Sequence, residues 1–367
     1  MRIGILVLSV GPFGNKGFYN LQEVGLAKTL DRYCEEVKVY KAVPQKERGM
    51  TEPIAGTDHA VIQYIPCRKI GTNGMPDLKE MDAPLDLLIC FSDTQLMLPR
   101  VFRWSEKNGV RFLPYIGVME SHSTNKINAW VMDALFIRNV RIYRKCICLA
   151  KTPDIVKGLL KKGVKKVVLG TVGLDLSILR SDFEDYNVDD LKEKYGYKKD
   201  DKVLLFVGRM IDEKRPLEMI DIFSAVHRRD GRYRLLMVGD GELLGDVQKA
   251  VGDERIGHAV RIIRMIPNED MWEVYRIADY LINLNKREIF GMTIMEAMYY
   301  GCKVIAWRAP GPDWIIEDRS TGYLVSDRDE LLERIAEGKD LTINARTRVR
   351  EKLTWDHTAQ AVMRIAL

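Results

Sequence analysis

No apolar run in this chain is long enough to cross a bilayer, so no membrane-spanning helix is expected. The six cysteines, Cys34, Cys67, Cys90, Cys146, Cys148 and Cys302, show no zinc spacing. Cys146 and Cys148 fall in an apolar, strand-like run and read as small core residues. No Gly-Lys-Ser or Gly-Lys-Thr occurs, which excludes a P-loop. Gly11-Pro12-Phe13-Gly14-Asn15-Lys16-Gly17 is glycine-rich but lacks the dinucleotide spacing. Interleaved aromatics and reader motifs are also missing, so nucleic acid is not an expected partner.

What is present is an ordinary globular composition, 46% hydrophobic and 30% charged. A length of 367 residues exceeds what one core usually serves, and two domains follow as the prior. Met1 to Ser9 has the look of a short signal peptide. Its brevity and the turn that follows make it a buried first strand instead, and the expected location is cytoplasmic. The net charge of +5 is uneven: Lys126 to Lys166 holds eleven Lys or Arg against Asp133 and Asp154. Within it, Asn128 to Arg138 followed by Arg141, Arg144 and Lys145 reads as a basic amphipathic helix. Such a helix either packs on its own domain with a solvated basic face or docks at an anionic membrane, here the inner face of the cell membrane.

Strand and helix alternate twice over. Apolar, β-rich runs occur at Arg2–Ser9, Glu36–Tyr40, Ala60–Ile65, Asp86–Phe91, Arg111–Gly117, Cys146–Ala150 and Lys166–Leu169. Helical segments between them include Tyr19–Asp31, Thr94–Asn108 and Pro153–Lys162. The second series of strands is Lys202–Val207, Arg234–Val238, Val260–Arg264, Tyr280–Leu284, Lys303–Ala306 and Gly322–Val325. Continuous rather than alternating apolar strands indicate parallel sheets covered on both faces. The expected fold is α/β: two Rossmann-like, doubly wound domains facing a central cleft. They span 1–178 and 202–350, joined by a polar junction at 179–201. A helix over 351–367 is expected to cross back to the first domain.

The most informative run is Glu288-Ile289-Phe290-Gly291-Met292-Thr293-Ile294-Met295-Glu296, between an apolar strand and a helix ending at Gly301. A strand, tight loop and helix start make a place for an anion. Unpaired N–H groups from Gly291 to Thr293 and the helix dipole favour negative charge there. Glu288 and Glu296 are suited to accept hydrogen bonds from sugar hydroxyls, which describes a nucleotide-sugar pocket. The same residues also fit a helix capping box in which Glu296 reaches back to Thr293, with Glu288 a solvated loop residue. Other strand ends add chemistry. Gly208-Arg209 and Glu213-Lys214-Arg215-Pro216 set two cations where a diphosphate could lie, with Pro216 in a helix first turn. Gly239-Asp240-Gly241 allows close backbone approach.

These motifs together resemble glycosyltransferase family 4, which has the GT-B fold. The likeness lies in Val207-Gly208-Arg209 with Glu213-Lys214, Val238-Gly239-Asp240-Gly241, Glu288 to Gly291, Glu296-Ala297-Met298, Gly301, Val304 and Thr321 to Val325. In the first half only Gly14 to Gly17 and Val168 to Asp175 share in it. The resemblance implies that the first domain binds acceptor and the second binds donor. It makes Arg209 and Lys214 the pair that neutralises the leaving diphosphate. It makes Glu288 the holder of donor-sugar hydroxyls and Glu296 the acceptor for ribose hydroxyls. Phe290, Gly291, Met292 and Thr293 would offer backbone N–H groups, Met265 and Ile266 would meet the base, and Gly14, Gly208 and Gly239 join the donor-binding set. The family retains anomeric configuration and needs neither metal nor cofactor, so the donor, UDP- or GDP-linked, is substrate. The implied acceptor is a glycan or lipid-linked hydroxyl in cell-surface polysaccharide or glycoconjugate synthesis.

Departures from the family pattern affect base and sugar, not fold. The position of a family histidine falls near Glu120, with His122 two residues on. Arg264 replaces a glycine, Asn285-Lys286 replaces Pro-Ser, and Ala309-Pro310-Gly311-Pro312 replaces a paired-glycine loop. Rival readings are a GT-B nucleotide-sugar epimerase and a non-catalytic nucleotide-sugar-binding scaffold. A glycoside hydrolase is disfavoured because one loop and its helix poorly flank a bond with two carboxylates. A nicotinamide oxidoreductase leaves the run from Glu288 to Glu296 unexplained.

Overall fold

Apolar runs that cannot be solvated become the strands of two separate sheets. The computed structural model describes residues 1–10, 21–44, 50–71, 73–81, 84–92, 96–119 and 126–366, the side chains of Lys126 and Asn128 excepted. The chain divides into a first unit, Met1–Gly173 with Trp355–Leu367, and a second, Leu174–Thr354.

The first unit contains β1 (Arg2–Val7), β2 (Glu36–Pro44), β3 (Thr51–Pro53), β4 (Ala60–Ile70), β5 (Asn73–Pro76), β6 (Leu87–Phe91), β7 (Arg111–Ile116), β8 (Ile147–Ala150) and β9 (Lys166–Leu169). Their order is β3-β4-β2-β1-β6-β7-β8-β9, with β5 paired to β4. The parallel core matches the expected strands. The antiparallel β3 and β5 carry no strand signature in the sequence, being three and four residues long and ending at Pro53 and Pro76. Leu6, Leu88, Cys90 and Cys148 from the sheet pack with Phe136, Val140 and Tyr143 from the helix Lys126–Tyr143. The helix Asp356–Ala366 belongs here too: Thr358 Oγ1 donates to the Thr171 carbonyl at 2.6 Å. Gly25 makes room for Trp355, whose Nε1 would stand 2.2 Å from a Cβ at that position.

The second unit contains β10 (Lys202–Val207), β11 (Tyr233–Val238), β12 (Val260–Ile263), β13 (Tyr280–Asn283), β14 (Lys303–Trp307) and β15 (Tyr323–Val325). The order β12-β11-β10-β13-β14-β15 is wholly parallel. Counted from the first strand it runs 3-2-1-4-5-6, the doubly wound Rossmann order. The winding reverses between β10 and β13, and ligands of such sheets sit beyond the carboxyl ends at that switch point. Residues 179–201 are part of this unit rather than a junction between the two. Their polar side chains are spent on its surface. The Arg180 N–H donates to Tyr300 Oη at 3.0 Å, and Tyr195 Oη and Lys194 Nζ donate to Glu273 at 2.9 and 2.7 Å. Phe183 is buried against Tyr299 and Tyr300.

Candidate active site

The loops after β10 and β13 leave neighbouring strands on the two sides of the switch point. After β10 the chain passes Gly208 and the exposed Arg209, then makes one 3-10 turn over Asp212–Lys214. Arg215 follows in the left-handed region at φ 54°, and Pro216 opens the helix Pro216–Arg229 as expected. A non-glycine residue held there stores strain, here next to Lys214. The turn folds Lys214 back over Gly208, whose Cβ position would lie 3.8 Å from the lysine methylenes.

Lys214 reaches the loop after β13. Its Nζ donates to Glu288 Oε2 at 2.5 Å, with the two side chains 23% and 14% exposed. Asn285, buried in the same loop, organises the carboxylate. Its Nδ2 donates to Glu288 Oε2 at 3.3 Å and to Glu213 Oε1 at 3.2 Å, while its Oδ1 accepts the Arg287 N–H at 2.9 Å. Glu288 is therefore not a solvated loop residue. Burial would raise its pKa, but the Lys214 charge and hydrogen bond, helped by the Gly291 N–H, hold it below the ordinary carboxylate value.

The sign of the resulting pH dependence is fixed. A carboxyl depressed in the folded state stabilises fully above its unfolded value, roughly pH 4.3, and loses that contribution as pH falls through the folded value. Denaturant unfolding of wild type and Glu288→Gln should therefore differ most at neutral pH and converge in acid. A difference that stays constant into acid would remove the folded-state ion pair.

Gly291, at φ 60°, caps the helix Met292–Tyr299 with no side-chain cap. Its N–H donates to Glu288 Oε1 at 3.4 Å. As the first helical residues, Met292 and Thr293 have no carbonyl one turn back within the helix, so their N–H groups suit an anion. The capping-box alternative does not form. The helix starts two residues too early for Thr293 to cap it, and Glu296, 5% exposed, accepts from Tyr275 Oη at 2.8 Å.

The remaining candidates share this end of the sheet. Gly239 follows β11, where a Cβ would fall 1.9 Å from the Gly208 carbonyl oxygen. The two loops lock together as Gly208 N–H donates to Val238 and Met210 N–H to Asp240. Met265, 84% exposed, and the half-buried Ile266 follow β12, two strands from β10. Beside them Arg264 clasps Asp240 through Nε at 3.0 Å and Nη2 at 2.6 Å. The structure thus joins Lys214 with Glu288 and places Glu296 one helical turn further on, tied to Tyr275. Gly14, Glu120 and His122 lie outside the described residues. Sequence reasoning did not assign roles to Asn285 or Tyr275. Asn285 had a signal, its departure from the family pattern, whereas nothing local marks Tyr275 as the partner of Glu296.

Residues 187–352 match the family model described as glycosyl transferases group 1. An alpha-monoglucosyldiacylglycerol synthase of Streptococcus pneumoniae is 29% identical over 188 residues, 50% of this chain and 42% of the relative. An N-acetyl-alpha-D-glucosaminyl L-malate synthase of Bacillus anthracis is 27% identical over 134 residues, covering 36% and 34%. The matches span less than half the length of these curated relatives. Among solved structures, sucrose-phosphate synthase from Thermosynechococcus elongatus superposes with TM-score 0.74 at 17% identity, covering 99% of this chain and 98% of the other. HepE of Anabaena, in complex with UDP and glucose, gives 0.72 at 15% identity over 100% and 99%. These likenesses show a shared fold.

Proposed function

We propose, for a chain whose residues 187–352 match the model of glycosyl transferases group 1, that it moves a sugar from a nucleotide-diphosphate donor to an acceptor hydroxyl. Transfer retains the anomeric configuration and needs no metal ion. The observation that carries this reading is the Lys214–Glu288 pair, 2.5 Å apart at the switch point and next to the start of the helix Met292–Tyr299.

As the sugar–phosphate bond breaks, positive charge grows on the anomeric carbon and negative charge on the diphosphate. Lys214 has three N–H donors, so it holds Glu288 and still reaches a phosphate oxygen. Arg209 and the helix start add positive potential to the same leaving group. Glu288 keeps acceptor capacity beyond its contacts to Lys214, Asn285 and Gly291, and this orients the donor-sugar hydroxyls. Glu296, steadied by Tyr275, accepts from the ribose. The acceptor hydroxyl enters on the face the diphosphate leaves, with a phosphate oxygen taking its proton. HepE was solved with UDP and glucose, which supports a uridine donor as the first to try, with GDP-sugars next. The Streptococcus pneumoniae relative is named for a glucosyl-diacylglycerol, which supports a lipid-linked acceptor in cell-surface glycoconjugate synthesis.

A thermal-shift screen against UDP-, GDP-, ADP- and dTDP-sugars, with and without EDTA, tests the reading. One donor class should raise the melting temperature, by about 2.7 kcal/mol of stabilisation at a hundredfold excess over its Kd, and EDTA should not change the shift. A shift that EDTA abolishes would overturn metal independence. Once a product is in hand, an inverted anomer by NMR would overturn retention. Donor binding with no transfer to any acceptor would favour a scaffold.

A further inference from the structure

The helix Lys126–Tyr143 buries Phe136, Val140 and Tyr143 in the core of the first unit. Its opposite face is not polar. Ile127, Trp130, Val131 and Ile137 are 73%, 72%, 42% and 63% exposed, and exposed Ala134 lies among them. This i, i+3, i+4, i+7, i+10 spacing makes one apolar stripe, about 15 Å long at 1.5 Å per residue. A contiguous apolar patch of this kind marks an interaction surface.

The stripe runs into cations. Arg141, Arg144 and Lys145 are exposed at the C-terminal end of the helix. Arg144 donates to the Lys162 carbonyl through Nη2 at 2.7 Å and Nε at 2.9 Å, which brings exposed Lys161, Lys162 and Lys165 alongside. The acids near this face are Asp133, Asp154, which pairs with Lys157 at 3.6 Å, and the exposed Glu106 beside Lys145 and Cys146, against six exposed cations.

We infer that this face of the first unit docks on an anionic lipid bilayer, with Ile127, Trp130, Val131 and Ile137 at the acyl boundary and the basic residues among lipid headgroups. Charge complementarity selects this occupant. Headgroup anions satisfy a predominantly basic cluster, whereas a second copy of this chain would set excess positive charge beside positive charge. Tryptophan with aliphatic residues above a basic rim is the composition that binds in the headgroup layer. The inference does not depend on the transferase reading.

Co-sedimentation of the full chain with vesicles tests it. Vesicles of equal parts phosphatidylglycerol and phosphatidylcholine should bind the protein, pure phosphatidylcholine should bind it far less, and added salt should release it. Ile127→Ser/Trp130→Ser should lower the bound fraction roughly tenfold, and Arg141→Glu/Lys145→Glu should do the same. Unchanged thermal melts will confirm that both variants are folded. Absence of binding to anionic vesicles, or equal binding by the Ser variant, overturns the inference. So does a wild-type dimer in light scattering that the Ser variant loses, because the stripe is then a contact between copies.

Discussion

Lys214→Ala should lower the transfer rate by on the order of 10²–10³, the effect of removing one fixed donor from a developing negative charge. That equals about 2.7–4 kcal/mol of transition-state stabilisation. Glu288→Ala should be at least as harmful. It removes the proposed donor-sugar contact and frees Lys214 from the partner that aims it, since Glu288 Oε2 holds its Nζ at 2.5 Å. Each single variant also leaves a half-buried charge without its counterion. Stability must therefore be measured beside activity. The double variant Lys214→Met/Glu288→Gln removes both charges together. Replacing both partners of such a pair by neutral groups is often harmless to stability, so this protein should melt near wild type and still fail to transfer. Full activity in Lys214→Ala or Glu288→Ala would sink the site assignment.

Gly239→Ala should destabilise the second unit by roughly 2–6 kcal/mol, from backbone strain and overpacking together. The melting temperature should fall by on the order of 10 °C. Gly239 has φ 149°, and its added Cβ would stand 1.9 Å from the oxygen and 2.8 Å from the carbon of the Gly208 carbonyl. That neighbour is backbone and cannot swing aside as a side chain can. Relief requires the loop after β10 to move, and that loop carries Arg209 and Lys214, so donor affinity should fall with stability. Gly245→Ala is the matched control. It lies in the helix Leu244–Asp253 with nothing within 4 Å of its Cβ position, and alanine there should be neutral or slightly stabilising. Equal melting of Gly239→Ala and wild type would show that the two loops do not approach this closely.

The elements that position the site were legible for one reason. Strands buried on both faces must be continuously apolar, so β10, β11 and β13 stand out as Lys202–Val207, Tyr233–Val238 and Tyr280–Asn283. Edge elements lack that signature. β3 and β5 went unseen because three or four residues with a proline carry no period. The polar stretch 179–201 misled for a related reason. Composition reports solvent preference, yet Lys194 and Tyr195 satisfy their polarity on Glu273 of the second unit.

The run from Glu288 to Glu296 shows where local reading stops. Its residues specify a glycine turn and a helix start, and Gly291 at φ 60° is that turn. They could not say whether Glu296 caps the helix or faces elsewhere, because the deciding partner, Tyr275, lies 21 positions away.

By itself the sequence determined the α/β class, the alternation of strands and helices and the types of residue at the strand ends. These follow from periodicity and turn chemistry, which act over a few residues. Tertiary structure alone decided which of those residues meet. Lys214 and Glu288 are 74 positions apart in the chain and 2.5 Å apart in space. They meet because β10 and β13 pair side by side where the winding reverses. A contact of that kind belongs to the strand order, and no local pattern of residues encodes its distance.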